Sequence, residues 1–173
     1  MRGAVVLVPF DDLDPRILHP VAAGVLEVFG LPATVAEPIP SPLEGLEAAR
    51  GQYRAAAFLP LLAARFPEAR RAVGVTPVDL FEPGLNFVFG LAERPGRAAV
   101  VSVARLVHPD GRRFLARVMK ETHHELGHTF GLDHCPEPTC VMRFSNSVEE
   151  VDAKGRFFCP RCRAKLEAAL EVF

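Results

Sequence analysis

Three histidines and one glutamate in the C-terminal half of the chain have the residue types and spacing of a catalytic zinc site. His124 and His128 are four residues apart, so on a helix their imidazoles project from one face and can share a metal ion. Glu125 follows the first histidine, and its carboxylate can reach a water bound to that ion. Gly131 can adopt a positive φ angle and turn the chain sharply, which lets His134 return as a third ligand. Three neutral imidazoles leave one zinc position open for a water whose pKa falls to near neutrality.

All four cysteines of the chain lie between residues 135 and 162, in two pairs: Cys135 with Cys140, and Cys159 with Cys162. Four thiolates make a closed tetrahedral zinc site, which is structural and not catalytic. Two disulfides or free thiols are the alternatives. The N-terminal segment predicts a β-strand and not a secretion signal, so we expect a cytoplasmic protein, in which a thiolate metal site is favoured over disulfides.

Composition and charge exclude several classes of protein. The chain has 173 residues, of which 49% are hydrophobic and 24% charged, so it can bury one core and is not a disordered, collagen-like or coiled-coil chain. Its 20 basic and 21 acidic residues give a net charge of −1, without the basic excess of a nucleic-acid-binding protein. No apolar run approaches the roughly 18 residues of a membrane span. We therefore expect a monomer that binds neither nucleic acid nor membrane.

Hydrophobic periodicity and turn residues predict the elements that must position these ligands. Helices are predicted at 15–29, where Asp14 caps and Gly30 ends the helix, at 111–130, which carries the first two histidines, and at about 163–172. Residues 41–71 have a helical pattern interrupted by prolines, which predicts one or two broken helices. Strands are predicted at 4–8, 33–36, 72–80, 85–89 and 98–106. This order predicts a mixed α/β fold, in which helices cover a mixed sheet of about five strands.

The segment from His124 to His134 resembles the metzincin clan of zinc peptidases, which also has a methionine-containing turn beneath the metal. Met142 lies eight residues beyond His134 and matches that turn, although plain core packing is an alternative role for this residue. The continuation through the four cysteines resembles the archaemetzincin family in particular. The family pattern has about 17 residues between the methionine and the last cysteine pair, and this chain has 16. The resemblance extends upstream through 74–80, 84–90 and 98–102 and covers nearly the whole chain.

The resemblance implies a twisted five-stranded mixed sheet with covering helices and with the active-site helix along its underside. It implies a single catalytic domain over 1–173, in which 135–173 form a small C-terminal subdomain around a second, structural zinc. The fourth strand in chain order, 85–89, would then be the antiparallel strand that borders the cleft and binds substrate through Leu85, Asn86 and Phe87. An ordinary inner strand is the alternative for this segment.

These features predict a zinc-dependent peptidase with two Zn2+ ions per chain, one catalytic and one structural, and with a peptide or protein as its substrate. Glu125 would act as general base and then as general acid. The only tyrosine, Tyr53, lies far upstream, so the group that stabilises the oxyanion beyond zinc itself is unassigned; Asn146 is one candidate. The alternatives are a binding protein with an inactive zinc site and a metal-dependent endoribonuclease. The endoribonuclease alternative is based on a resemblance to a bacterial ribosomal-RNA maturation family, which has the same histidine spacing but lacks the glutamate and the cysteines.

Overall fold

The main sheet of the computed structural model, which describes residues 3–172, has five strands in the order β2-β1-β5-β8-β7. All neighbouring strands are parallel except β7, which pairs antiparallel with β8 and lies at the edge of the sheet. The three central strands are almost entirely buried apolar runs, as expected for parallel strands that are covered on both faces. The bounds of the five strands are Val5–Pro9 (β1), Ala33–Val35 (β2), Arg71–Thr76 (β5), Gly90–Ala92 (β7) and Ala98–Ser102 (β8).

Helices cover both faces of this sheet. Successive residues of a strand point to opposite sides, so each central strand contributes side chains to two cores. Val73 and Val75 face the larger core, which they share with α1 (Leu18–Phe29) and α3 (Gly111–Thr129). Ala72 faces the smaller core beneath α2 (Phe58–Arg65). The sheet therefore holds α3, the helix that carries His124 and His128, against one face. The predicted mixed α/β fold with a five-stranded sheet is confirmed.

Polar caps and a glycine set the ends of the long helices, and for α1 these are the predicted residues Asp14 and Gly30. The Asp14 carboxylate accepts a hydrogen bond from Arg16 N, and a short 3-10 turn, Pro15–Ile17, leads into α1. Gly30 ends α1 with a φ of 70°, a conformation that glycine adopts without steric cost. Asp110 caps α3 by accepting from Arg112 N at 3.0 Å, which sets where the histidine-bearing helix begins.

The broken helices predicted over residues 41–71 are largely wrong. Only α2 is helical there, and the preceding residues form 3-10 turns and two strands of a second, three-stranded sheet in the order β3-β4-β6. Gly51 turns the chain with a φ of 65° between β3 (Leu46–Glu47) and β4 (Gln52–Arg54). β4 then pairs in parallel with β6 (Leu80–Phe81), so a long-range partner overrides the local helical propensity.

Three further strand predictions need correction, of which the first is the strand predicted at 98–106, because β8 ends at Ser102. The strand predicted at 72–80 ends at Thr76, because Pro77 has no N–H to continue the ladder. The antiparallel strand predicted at 85–89 is instead β7, Gly90–Ala92. The turn at Gly84, with a φ of 86°, and the bond from Val88 N to Leu80 O tie residues 84–88 to β6 and not to the main sheet.

The C-terminal residues pack against the same core as the main sheet. They include two helices, α4 (Val148–Ala153), which the sequence analysis did not predict, and α5 (Pro160–Val172), which begins three residues earlier than expected. Val151, Cys162 and Leu166 belong to the larger core. The division into one domain over 1–173 with a subdomain over 135–173 stays a prediction, and its end residues 1, 2 and 173 lie outside the described part. Among residues 3–172, no helix has the length and apolar character that crossing a membrane requires.

Candidate active site and metal centres

Three imidazoles converge at the C-terminal end of α3. His124 and His128 are buried on the last turns of the helix, and His134 lies more exposed in the segment that follows. One ring nitrogen from each of the three lies within 4.8 Å of the others, and the Nε2 atoms of His124 and His128 are 3.1 Å apart. The predicted triad is therefore brought together in one place.

The surroundings of the two buried histidines fix which ring nitrogen faces inward. His124 Nδ1 donates to the carbonyl oxygen of Val141, and His128 Nδ1 donates to that of Leu132, both at 2.7 Å. Burial lowers the pKa of His128 to about 4 and that of His124 well below its usual value, so both rings are neutral. Each Nε2 then presents an unshared electron pair to the other. The lone pairs of the two Nε2 atoms converge, and the Nδ1 atom of each ring donates to a backbone carbonyl oxygen. This arrangement fits a zinc ion.

The chain reversal that returns His134 depends on the end of α3. Gly131 has a φ of 90°, and its N–H donates to the His128 carbonyl at 2.8 Å. Leu132 N donates to Gly127 O, which closes the turn in the way a glycine C-cap does. The spacing of the glycine and the third histidine thus has the structural role that the sequence predicts.

Glu125 lies in the same cavity as the three histidines and is 6% exposed. Its side chain packs against Gly90 of β7, where a Cβ atom would lie 2.8 Å from Glu125 Cγ and 2.9 Å from its Oε1. Burial, together with the negative charge of Glu121 one turn earlier, raises the pKa of Glu125 to about 8, while the cations Lys154 and Arg94 oppose this rise. Glu125 therefore sits in an environment that lets it both accept and release a proton near neutral pH.

A buried ion pair lies beneath the histidines. Lys154 is fully buried, and its Nζ is 3.0 Å from Glu121 Oε1 and donates to Arg143 O at 3.0 Å. It also lies 3.5 Å from His124 Nδ1. The sequence analysis assigned no role to Lys154 or Glu121, because a lone lysine and a helical glutamate carry no motif.

Met142 is fully buried directly beneath α3. A Cβ atom at Gly127 would lie 2.6 Å from Met142 Sδ, so the helix can approach the methionine only because residue 127 has no side chain. Met142 O also accepts a hydrogen bond from Cys135 N at 3.0 Å. These contacts join the methionine to the helix and to the segment that carries His134.

The four cysteines form a second convergent group. Their sulfur atoms all lie within 4.8 Å of one another, and Cys135 Sγ is 3.7 Å from Cys159 Sγ, too far for a disulfide. Burial opposes ionisation of Cys135, but hydrogen bonds from the Glu137 backbone and the Arg161 guanidinium bring its pKa down to about 7. Four thiols in this arrangement fit a tetrahedral zinc ion and not the alternative of two disulfides.

The histidines and Glu125 open into a cavity of about 390 Å3 that is bordered by β7 and by residues 85–89. Leu85, Asn86 and Phe87 line it from a loop and not from the predicted strand. Gln52 Nε2 of β4 donates to Asn86 O at 2.9 Å, and the guanidinium of Arg105, which follows β8, stacks on the Phe87 ring, so these two segments hold the loop in place. Tyr53 is not among the lining residues; it packs against Phe58.

Several lining residues were not predicted as site residues, and two of them, Gly90 and Arg94, contact Glu125 and His128. Gly90 borders Glu125, and a glycine inside an apolar strand pattern was the available signal for a close approach. Arg94 follows β7, and its Nη2 lies 3.1 Å from His128 Nε2. Nothing in the local sequence indicates that this arginine, one of many in the chain, faces the histidines.

Comparisons with known proteins agree with this geometry. The sequence pattern of Peptidase family M54 matches residues 69–168. The archaemetzincin of Methanopyrus kandleri is 57% identical over 122 residues, 70% of each chain, and that of Pyrococcus furiosus is 37% identical over 183 aligned residues, 98% of this chain and 95% of the relative. The crystal structure of the Methanopyrus kandleri archaemetzincin superposes with a TM-score of 0.92 at 45% identity, covering 98% of this chain and 96% of the other. A zinc-dependent peptidase from Methanocorpusculum labreanum superposes with a TM-score of 0.86 at 31% identity, covering 94% and 100%. Since the family pattern spans more than half of the chain and the similarity extends over nearly all of it, this protein belongs to peptidase family M54, the archaemetzincins.

Proposed function

We propose that this member of a peptidase family hydrolyses peptide bonds at the cavity beside β7, with zinc held by His124, His128 and His134. The observation that carries this proposal is that the three imidazoles and the Glu125 carboxylate open into one cavity. Zinc in such a set of three imidazoles lowers the pKa of a coordinated water and polarises a carbonyl oxygen. The chain's own groups supply the remaining steps.

Glu125 transfers the proton in this scheme. Its carboxylate takes a proton from the attacking water and then delivers that proton to the nitrogen of the leaving amine. This carboxylate is buried and opens into the same cavity as the three imidazoles, so it lies close to where the attacking water and the leaving nitrogen would be. The Gly90 contact holds the carboxylate on the strand side of the cavity.

The substrate peptide binds in an extended form along β7. This strand is at the edge of the main sheet, so one side of its backbone is available to pair with another strand. Gly90, Leu91 and Ala92 thus take the role that the sequence analysis gave to 85–89. Leu85, Asn86 and Phe87 contribute side-chain contacts from the adjacent loop.

The four cysteines hold a second zinc ion with a structural role, which gives two ions per chain. This proposal is supported by the convergence of the sulfur atoms and by the hydrogen bond between Cys135 N and Met142 O, which ties the thiol group to the histidine segment. Family membership favours the peptidase over the endoribonuclease and the inactive binding protein. The monomeric state, the absence of nucleic-acid and membrane partners, and the cytoplasmic location stay predictions.

The test is cleavage of an unbiased peptide library by the wild type and by Glu125→Gln, at equal zinc content measured by atomic emission. Loss of a positioned general base lowers the rate about 10²–10⁴-fold. We expect cleavage by the wild type and a loss of that size in the variant. Glu171→Gln, which removes an exposed carboxylate at the far end of α5, is the matched control and keeps full activity. Equal cleavage by the wild type and Glu125→Gln would contradict the proposal.

A further inference from the structure

Arg94 is the only lysine or arginine among the described residues that line the active-site cavity. Its Nη2 atom lies 3.1 Å from His128 Nε2, the nitrogen that faces the other two imidazoles. The guanidinium therefore reaches the point where the three histidines converge. The mechanism described so far gives this cation no role.

The backbone that carries Arg94 is anchored to the end of α3. Gly96 N donates to Thr129 O at 3.0 Å, and Pro95 Cβ lies 3.9 Å from the Cβ position of Gly131. The side chain itself is less constrained, since it is 39% exposed and its only ion pair within residues 3–172, with the 79% exposed Asp133, is 3.4 Å long. An exposed pair of this kind contributes little to stability. The backbone of Arg94 is thus fixed, and its guanidinium can change orientation.

The contact with His128 cannot coexist with metal binding through the same nitrogen. His128 Nδ1 donates to Leu132 O, so Nε2 has a single lone pair. That lone pair serves either the guanidinium or a metal ion. When zinc takes it, Arg94 Nη2 needs another acceptor close by, and a substrate oxygen in the cavity is the natural one.

We propose that Arg94 donates a hydrogen bond to the carbonyl oxygen of the scissile peptide bond and stabilises the negative charge that forms there. As the water oxygen bonds to the carbonyl carbon, the π electron pair moves onto the carbonyl oxygen and the water proton goes to Glu125. When the carbon–nitrogen bond breaks, the electron pair on the oxygen re-forms the carbonyl π bond. The carbon–nitrogen bonding pair stays on the nitrogen, which takes the proton from Glu125. Arg94 keeps all its protons throughout. This inference rests on the proposed peptidase function.

Position favours this oxygen over the C-terminal carboxylate of a substrate. Successive residues of a peptide are about 3.8 Å apart, so a terminal carboxylate lies at least one residue beyond the scissile carbonyl. Arg94 lies beside a histidine of the triad and not farther along the cavity. The other candidate, Asn146, is uncharged and exposed, and its backbone N–H already donates to Glu150 Oε2.

The experiment compares wild type, Arg94→Gln and Arg94→Lys, all loaded with zinc and checked for equal metal content and melting temperature. Binding of two pseudopeptides with the same side chains is measured by calorimetry: a phosphinic one, which is tetrahedral and anionic, and a ketomethylene one, which is uncharged. An oxyanion donor is worth about 10²–10³ in rate. We expect Arg94→Gln to weaken the binding of the phosphinic compound at least tenfold more than the binding of the ketomethylene compound. We expect Arg94→Lys, which keeps the charge, to recover part of the loss.

The variant Asp133→Asn separates a direct role from a positioning role. It breaks the ion pair but leaves the guanidinium, so it should bind both compounds like the wild type. The inference would be overturned if Asp133→Asn lost as much affinity for the phosphinic compound as Arg94→Gln does. It would also be overturned if Arg94→Gln lost the same affinity for both compounds, or lost none for the phosphinic compound. On a peptide that the wild type cleaves, Arg94→Gln should lower kcat with little change in KM. A wild type that cleaves no library peptide would overturn the proposed function alone, because the binding comparison needs no turnover.

Discussion

The carboxylate of Glu125 packs against the backbone of Gly90, so closely that a Cβ atom there would lie 2.9 Å from Oε1. The same position would lie 2.6 Å from Val100 O of the neighbouring strand. Residue 90 is therefore enclosed between the sheet and the proton-transferring side chain. The edge strand that we propose to bind substrate and the residue that we propose to move the proton are built against each other.

Gly90→Ala should consequently impair catalysis as well as stability. The added methyl group must displace either the Glu125 side chain or the β7 backbone, and inserting atoms into a packed site costs about 1–3 kcal/mol. We expect kcat/KM to fall at least tenfold with zinc content unchanged. Steady-state kinetics and metal analysis measure the two quantities.

Gly111→Ala is the matched control for this change. A Cβ atom there meets nothing within 4 Å, and the residue begins α3 with an ordinary φ angle. Alanine favours a helix over glycine by up to about 1 kcal/mol. The control should keep full activity and melt no lower than the wild type, and wild-type kinetics in Gly90→Ala would show that Glu125 is not confined by the strand.

Gly127→Ala should destabilise the protein through Met142. The new Cβ atom would meet Met142 Sδ at 2.6 Å and Phe158 Cε1 at 3.3 Å in a fully packed region. We expect the free energy of unfolding to fall by about 1–3 kcal/mol, measured by denaturant titration. In a Met142→Ala background the same substitution should cost less, because the space beneath the helix is then open. Additive effects of the two changes would contradict this packing.

Most of the candidate site could be predicted from the sequence, since its determinants are local. The histidine, glycine and cysteine spacings lie within 39 residues, and Gly131 turns the chain to the third histidine. What could not be predicted depends on pairing across the fold. The edge strand lies at Gly90–Ala92 and not at 85–89, because residues 84–88 are bonded to β6. Residues 46–47 and 52–54 are strands and not helix, because β4 also pairs with β6. Arg94 and Lys154 reach the histidines from distant segments without any motif.

Replacing Cys159 and Cys162 by serine should remove the structural zinc ion that we propose at the four cysteines. Two thiolates do not complete a tetrahedral site, so we expect metal analysis to fall from two ions per chain to one. Melting temperature and activity should fall together, because the Cys135–Met142 hydrogen bond links the thiol group to the histidine segment. A wild type with one ion, or a variant with full activity and stability, would contradict the second site.

Asp152→Asn should cost stability in a pH-dependent way. Its carboxylate accepts two hydrogen bonds from Arg117, at 2.7 and 2.8 Å, and these hold the pKa of Asp152 below its usual value. The stabilisation is therefore complete above the unfolded pKa of about 3.9 and is lost as pH falls through the lower folded pKa. At pH 7 we expect a loss of about 2 kcal/mol in the free energy of unfolding.

Urea titrations of wild type and Asp152→Asn from pH 7 to pH 3 measure this difference. The difference in unfolding free energy should narrow below about pH 4, because the unfolded state then takes up a proton at Asp152 while the native carboxylate is still ionised. Glu27→Gln is the matched control, since it breaks an exposed pair with Arg156 and should cost less than about 1 kcal/mol. A difference that stays constant with pH would show that the carboxylate charge contributes nothing.

His134 and Cys135 are joined by one peptide bond, yet they belong to two different metal-ligand groups. A codon gained or lost between His128 and His134 would therefore move His134 and Cys135 together relative to α3 and disturb both ligand groups at once. Over evolutionary time the two ligand groups are therefore inherited, or lost, as one unit.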